Sequence, residues 1–305
     1  MRIGIIDVDG HSGFPNLALM KLSAYHKARG DEVTTDTLGH FGRVYQSKVF
    51  TFSSDIDTII DADGVVRAGT GYKDYTTELA PAVAACFPDY SLYPQADYAV
   101  GFLTRGCIRN CPWCVVPKKE GRIRPENAWH EIKRSDSRDM LLLDNNVLAS
   151  DWGIEQIGKM TVENVRVDFN QGLDARLITP EIARLLAGLK WIRHVRISCD
   201  TVEMLPIIER TVAYLREAGV ATWRLWCYAL VTDVDEAHRR VLALDAMGVL
   251  PFAQPYRDFD GGEPTAEQRR FARWVNMRAA FKSCAWEDYN MSKKRRITND
   301  NSNRF

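Results

Sequence analysis

The chain lacks net charge: of its 305 residues, 40 are Lys or Arg and 40 are Asp or Glu. That balance excludes a global field drawing in nucleic acid or membrane and leaves any such attraction to local patches. No stretch of about 18 uncharged apolar residues occurs, so no transmembrane helix and no membrane partner are expected. The opening MRIGIIDVDG is too short in apolar length and too acidic for a secretory signal, and a cytoplasmic protein is the expectation. Cysteine is scarce, with seven in all, an odd number that does not suit a disulfide framework. The thiols are therefore read as free or metal-bound.

Hydrophobic residues make up 46% of the chain, enough for a full core. RIGIIDV, a Gly-containing turn and the helical pattern from Leu17 to Tyr25 read as strand, loop and helix, with Gly30 closing the helix. Strand-like segments recur at DEVTTDTL, SKVFTF and DGVVRAGTG. The expected fold class is α/β, beginning with a small Rossmann-like lobe over residues 1–95.

From residue 96 the alternation restarts with longer helices. YAVGFLT, DMLLLDN, VRVDFNQ, HVRISCD, TWRLWCYAL and VLPFAQPY are strand candidates, with amphipathic stretches such as TPEIARLLAGLK between them. Such β/α repetition predicts a parallel sheet or a partial (βα)6 barrel over 96–260, followed by a helical segment over 261–291 and a flexible basic tail over 292–305. Polar residues fall at the C-terminal ends of these strands: Cys107, Asp144 and Asn145, Gln171 and Asp174, Ser198 and Asp200, Cys227 and Tyr228, Gln254 and Tyr256. In a β/α barrel those ends form the active face, so these side chains should line one cavity.

Cys107, Cys111 and Cys114 crowd one loop after the first of these strands. Their spacing lets three thiolates face a common centre, as an iron–sulfur cluster or a zinc ion requires. Cys86, Cys199, Cys227 and Cys284 are isolated, and no HxxxH or second CxxC supplies a fourth ligand for closed structural zinc. The site is one ligand short, and so suited to binding something further.

This CxxxCxxC, with Trp113 before its third cysteine, resembles the signature of the radical S-adenosylmethionine (SAM) superfamily, and the resemblance extends over most of residues 97–258. It implies that Cys107, Cys111 and Cys114 hold three irons of a 4Fe-4S cluster, and that SAM occupies the fourth. Trp113 joins the cofactor-binding set. LLLDNN lies where the family carries a motif contacting the methionine amino group, commonly GGE, which places Asp144 and Asn145 in that role. Ser198 and Asp200 fall where the family contacts the SAM ribose, and Arg176 or Arg224 is implied as partner of the SAM carboxylate. An electron donor such as flavodoxin or ferredoxin is implied as well.

The first lobe is similar to the one preceding the barrel in cobalamin-type members. Asp9 and His11 fit their DxHxxG motif, but Phe14 stands where its glycine belongs, so a degenerate lobe without cobalamin is expected. The whole pattern is most similar to compact members encoded by bacteriophages, some of which are isomerases in thymidine hypermodification of DNA. That implies a nucleobase or other small substrate, modified DNA as a partner and the host cytoplasm as location. KKEGRIRP (118–125) and KKRR (293–296) are basic runs compatible with phosphate. Two readings stay open beside this one: a cobalamin-dependent radical SAM methyltransferase, and a non-catalytic zinc-stabilised nucleic-acid-binding module.

Overall fold

The computed structural model describes residues 1–258 and 262–289. The expected tail at 292–305, with its basic run, lies outside them.

The first lobe is built on β1 (Arg2–Asp7), α1 (Leu17–Ala28), β2 (Glu32–Thr34), β3 (Arg43–Ser47), β4 (Val65–Ala68) and the short α2 (Pro81–Ala84). Its four strands are parallel in the order β2-β1-β3-β4. Apolar residues cover β1 on both faces: Ile3 and Ile5 meet Leu19 of α1, while Ile6 packs with Phe41 and Val44. Asn16 caps α1 by accepting from the Leu19 N–H at 3.3 Å, and Gly30 follows its end in the left-handed region at φ 79°. The strand expected at SKVFTF lies earlier, at Arg43–Ser47. Its neighbour β1 ends its ladder at Asp7↔Ser47, leaving the residues after Ser47 without a strand to pair with.

The second part runs through β5 (Ala99–Gly101), β6 (Thr104–Arg105), α3 (Val116–Lys119), β7 (Arg124–Pro125), α4 (Trp129–Ile132) and β8 (Asp139–Leu142). It continues with α5 (Asp151–Thr161), β9 (Arg166–Phe169), α6 (Pro180–Ala187), β10 (Lys190–Trp191) and β11 (Val195–Ser198). Then come α7 (Leu205–Glu217), β12 (Leu225–Val231), α8 (Val234–Ala246) and β13 (Leu250–Pro255). All six strand candidates are present. Together with the two-residue β10, which none of the candidates covers, they form two parallel sheets, β10-β9-β8-β5 and β11-β12-β13. The sheets meet where Leu173 bridges Ile197 and its N–H donates to the Arg196 carbonyl at 2.7 Å. One apolar core runs from Ala99 to Trp286 across both sheets and into the last helices.

Helices α9 (Ala266–Asn276) and α10 (Arg278–Ser283) bury Phe271, Trp274, Val275 and Phe281 in this core. The Asn276 amide donates to the Ala253 carbonyl and accepts from its N–H, both at 2.9 Å. One side chain thereby satisfies backbone groups on the edge strand β13, where another strand would otherwise pair. Between the two parts lies a separate apolar seam of Met20, Tyr93, Ala96 and Val100. Among the described residues, no helix is long and apolar enough to cross a membrane.

Candidate functional site

The cysteine loop is closed at its base by a two-residue antiparallel ladder, Thr104↔Pro125 and Arg105↔Arg124. Gly106 adopts φ 81°, and a Cβ there would lie 2.3 Å from the Arg122 carbonyl oxygen. Only glycine combines that left-handed turn with so close an approach. The Cys107 N–H donates to the Gly121 carbonyl at 3.2 Å, and the Cys114 N–H to the Cys111 carbonyl at 3.0 Å. Arg105 reinforces the base by donating to both Glu120 oxygens, at 3.0 and 3.1 Å.

Asp144 holds this base from beneath. Its carboxylate accepts from the Leu103 N–H at 3.1 Å, the Thr104 N–H at 2.6 Å and the Thr104 hydroxyl at 2.7 Å. Burial pushes its pKa up to about 6 against the lowering effect of those donors. Both oxygens are turned onto the chain that leads into the cysteine loop, so Asp144 positions that loop.

The neighbours of Asp144 in the chain and in space reach the thiols themselves. Asn146 is buried; its Nδ2 donates to Cys107 Sγ at 3.3 Å and to Asp174 Oδ2 at 3.3 Å. Asp174 also accepts from Arg109 Nε at 3.0 Å and Arg176 Nε at 2.6 Å. Its pKa stays below the ordinary value despite burial, because Arg176 and Arg109 favour the carboxylate. Two amide atoms close by, Asn145 Nδ2 and Asn146 Oδ1, are buried and have no protein partner. An unpartnered buried polar atom is costly, so each of these two would gain from a further partner.

Burial raises the Cys111 pKa; Arg176, within hydrogen-bonding reach of the thiol, opposes that rise, while Asp200 and Cys107 add to it. Burial likewise raises Cys114, with further contributions from Cys111 and Cys107. Arg176 is thus the cation that acts on the Cys111 thiol. Asp200 sits at the same end of β11, its pKa raised by burial and held back by Arg240 and Arg176. Arg240 is fully buried on α8 and donates to the carbonyls of Cys199 at 2.5 Å and Leu230 at 2.6 Å. Glu236 neutralises it from one turn earlier, at 2.5 Å.

Arg176 and Asp200 thus gather at Cys111, and the half-buried Trp113 lies within the loop, while Asn145 follows Asp144 after the end of β8. Ser198 ends β11 two residues before Asp200. Arg224 does not join them: it precedes β12 and donates to the Arg193 carbonyl at 2.9 Å, at the opposite end of the strands. Cys199 and Cys227 are buried, and burial pushes both thiols up, Cys199 to about 12. The sequence reading missed the roles of Asn146, Arg109 and Arg240. Asn146 had a signal in the doubled asparagine of LLLDNN, whereas Arg240 looked like one more charge on a helix face.

Among the described residues, no three His, Cys, Asp or Glu side chains are arranged to hold a single metal ion. In the lobe, Asp9 is already engaged, accepting from the Val49 N–H at 2.6 Å and from the Ser53 hydroxyl. His11 stands exposed in the turn at Gly10–Ser12. Two grooves of about 520 and 510 Å³ lie at the N-terminal ends of the strands, sharing Arg138, Asn164 and Arg166, away from the cysteine loop. No protein-family model matches the chain, and no curated protein matches it.

Proposed function

We propose that this chain is a radical SAM enzyme working at the C-terminal rim of a partial six-stranded β/α barrel. Its substrate is a nucleobase substituent, rearranged by isomerisation, as in hypermodification of phage DNA. The observation that carries the reading is three thiols on one loop after the first strand of two parallel sheets, with Arg176 acting on Cys111 and the Asn146 amide on Cys107.

Cys107, Cys111 and Cys114 would hold the 4Fe-4S cluster, leaving one iron for SAM. When bound, the cluster supplies the electron that cleaves a carbon–sulfur bond of SAM, opening the way to hydrogen abstraction from substrate. Arg176 offers its guanidinium to a carboxylate at the rim, while Asp174 fixes its orientation. Asn145 Nδ2 and Asn146 Oδ1 offer one donor and one acceptor to the same ligand. Asp200, whose pKa burial raises at the end of β11, suits a hydroxyl-bearing ribose. Flavodoxin or ferredoxin is the class of electron donor required. The cobalamin-dependent reading gains little support from a lobe whose Asp9 is engaged by its own loop.

The test is anaerobic reconstitution followed by SAM and a strong reductant. A brown protein with about four irons per chain and formation of 5'-deoxyadenosine are expected, and Cys111→Ala should abolish both. One zinc without iron or sulfide would overturn the proposal in favour of a structural zinc module. A loaded cluster that forms no 5'-deoxyadenosine would overturn the catalytic part.

A further inference from the structure

The loop after β3 carries two large aromatic side chains in an unusual setting. Phe50 and Phe52 are 46% and 50% exposed, and their rings stack at 5.1 Å between centroids with 21° between planes. Leaving two adjacent phenyl rings half in water forgoes part of the burial that favours apolar side chains, and such a patch marks a contact surface.

The loop is also built in place. Asp9 ties Val49 and Ser53, and the Thr70 hydroxyl donates to the Val49 carbonyl at 2.7 Å. Gly71 packs so closely that a Cβ would lie 2.8 Å from the Phe50 carbonyl oxygen and 2.3 Å from Lys48 Cγ. Its ordering is therefore complete before any ligand arrives, which lowers the entropic cost of binding.

Its position connects it with the cysteine loop. The Arg257 guanidinium lies 4.0 Å from the Phe52 ring centroid, and Arg257 follows the C-terminal end of β13. The neighbouring loop after β4 brings the Tyr75 ring within 4.4 Å of Lys118 Nζ, four residues beyond Cys114. Arg105, two residues before Cys107, lies 3.9 Å from the Phe102 ring. The C-terminal ends of the lobe's strands thus meet the C-terminal ends of the second part's strands, with aromatic rings and cations interleaved around the cysteine loop. Exposed Arg122 and Arg124 extend the positive charge along the same loop.

Rings that stack bases beside cations that follow phosphates form the general pattern of single-strand recognition. We propose that Phe50 and Phe52 form a stacking platform for a base of single-stranded DNA, with its phosphates along Lys118 to Arg124. This assignment rests on the reading of the site as one acting on a nucleobase.

The experiment is fluorescence anisotropy of labelled oligodeoxythymidylate with the full chain, metal-free, across a salt series, so its outcome is independent of whether 5'-deoxyadenosine forms. Wild type should bind with marked salt dependence, and Phe50→Ala should weaken binding roughly tenfold, the size of one lost base stack. Phe50→Tyr should keep the affinity; Phe50→Leu, which stays apolar without a ring, should lose it. Arg122→Ala should lower the salt slope by about 0.7 without abolishing the Phe50 effect. Absence of binding at low salt, equal affinity of wild type and Phe50→Ala, or tighter binding of the matching RNA would each overturn the assignment. Matching melting temperatures verify that the variants are folded.

Discussion

Asn146 and Cys107 are joined by an N–H···S contact of 3.3 Å, and the same amide nitrogen lies 3.3 Å from Asp174. One side chain thus ties the cysteine loop to the end of β9. A donor aimed at a sulfur ligand stabilises the additional negative charge of a reduced cluster. With the proposed cluster reconstituted, Asn146→Leu is therefore expected to retain iron but shift the midpoint potential to a more negative value, measured by a redox titration followed by electron paramagnetic resonance. An unchanged potential would reduce this contact to a packing role.

Arg176 counteracts the burial that raises the Cys111 pKa. In metal-free protein, Arg176→Gln should leave Cys111 with less thiolate at neutral pH. Its alkylation by iodoacetamide, followed residue by residue by mass spectrometry, should slow several-fold, because the thiolate is the reacting species. Faster alkylation would show that Arg176 shields the thiol more than it ionises it.

Asp144 gives the fold a pH signature. In the unfolded chain its proton leaves near about pH 4, whereas in the folded chain burial retains it to about 6. Between those values the folded state holds more protons, so the stabilisation from this group is complete below about pH 4 and is lost as pH rises through about 6. The difference amounts to about 3 kcal/mol. In urea unfolding, wild type measured against Asp144→Asn should lose up to that amount between about pH 4 and about pH 7. Parallel curves would mean that the three donors at Leu103 and Thr104 keep the carboxylate ionised throughout.

Gly106 sets the entry into the cysteine loop. Gly106→Ala forces a side chain into the left-handed region at a cost of about 1–2 kcal/mol, and the added methyl meets the Arg122 carbonyl as well. The expected outcome is a lowered melting temperature and reduced iron uptake on reconstitution, both read on the same preparation. Full iron loading at an unchanged melting temperature would show the ladder of β6 and β7 to be dispensable.

Six strands of the second part were legible because each pairs a β-branched or apolar run with a polar end, and parallel strands covered on both sides need such runs, whereas the two-residue β6, β7 and β10 carry no such run. The cysteine loop was legible from spacing alone. At SKVFTF the composition suits a strand, but β1 ends at Asp7 and provides no partner past Ser47. Strand propensity marks a segment able to pair, and the neighbour decides where pairing stops.

The order of residues along this chain determined the alternation of strands and helices, the ends of the strands where polar groups collect, and the grouping of the three thiols. Tertiary structure decided which polar groups remain available to a ligand. Asp144 and Asn146 are two residues apart with similar side chains, yet one is consumed by the backbone at Leu103 and Thr104 while the other faces Cys107. Arg176 and Arg224 carry the same guanidinium, yet Arg224 is held at the opposite end of its strand. Local sequence sets what a side chain can do, but hydrogen bonding and burial depend on atoms brought close from distant parts of the chain, and only the packed fold specifies those.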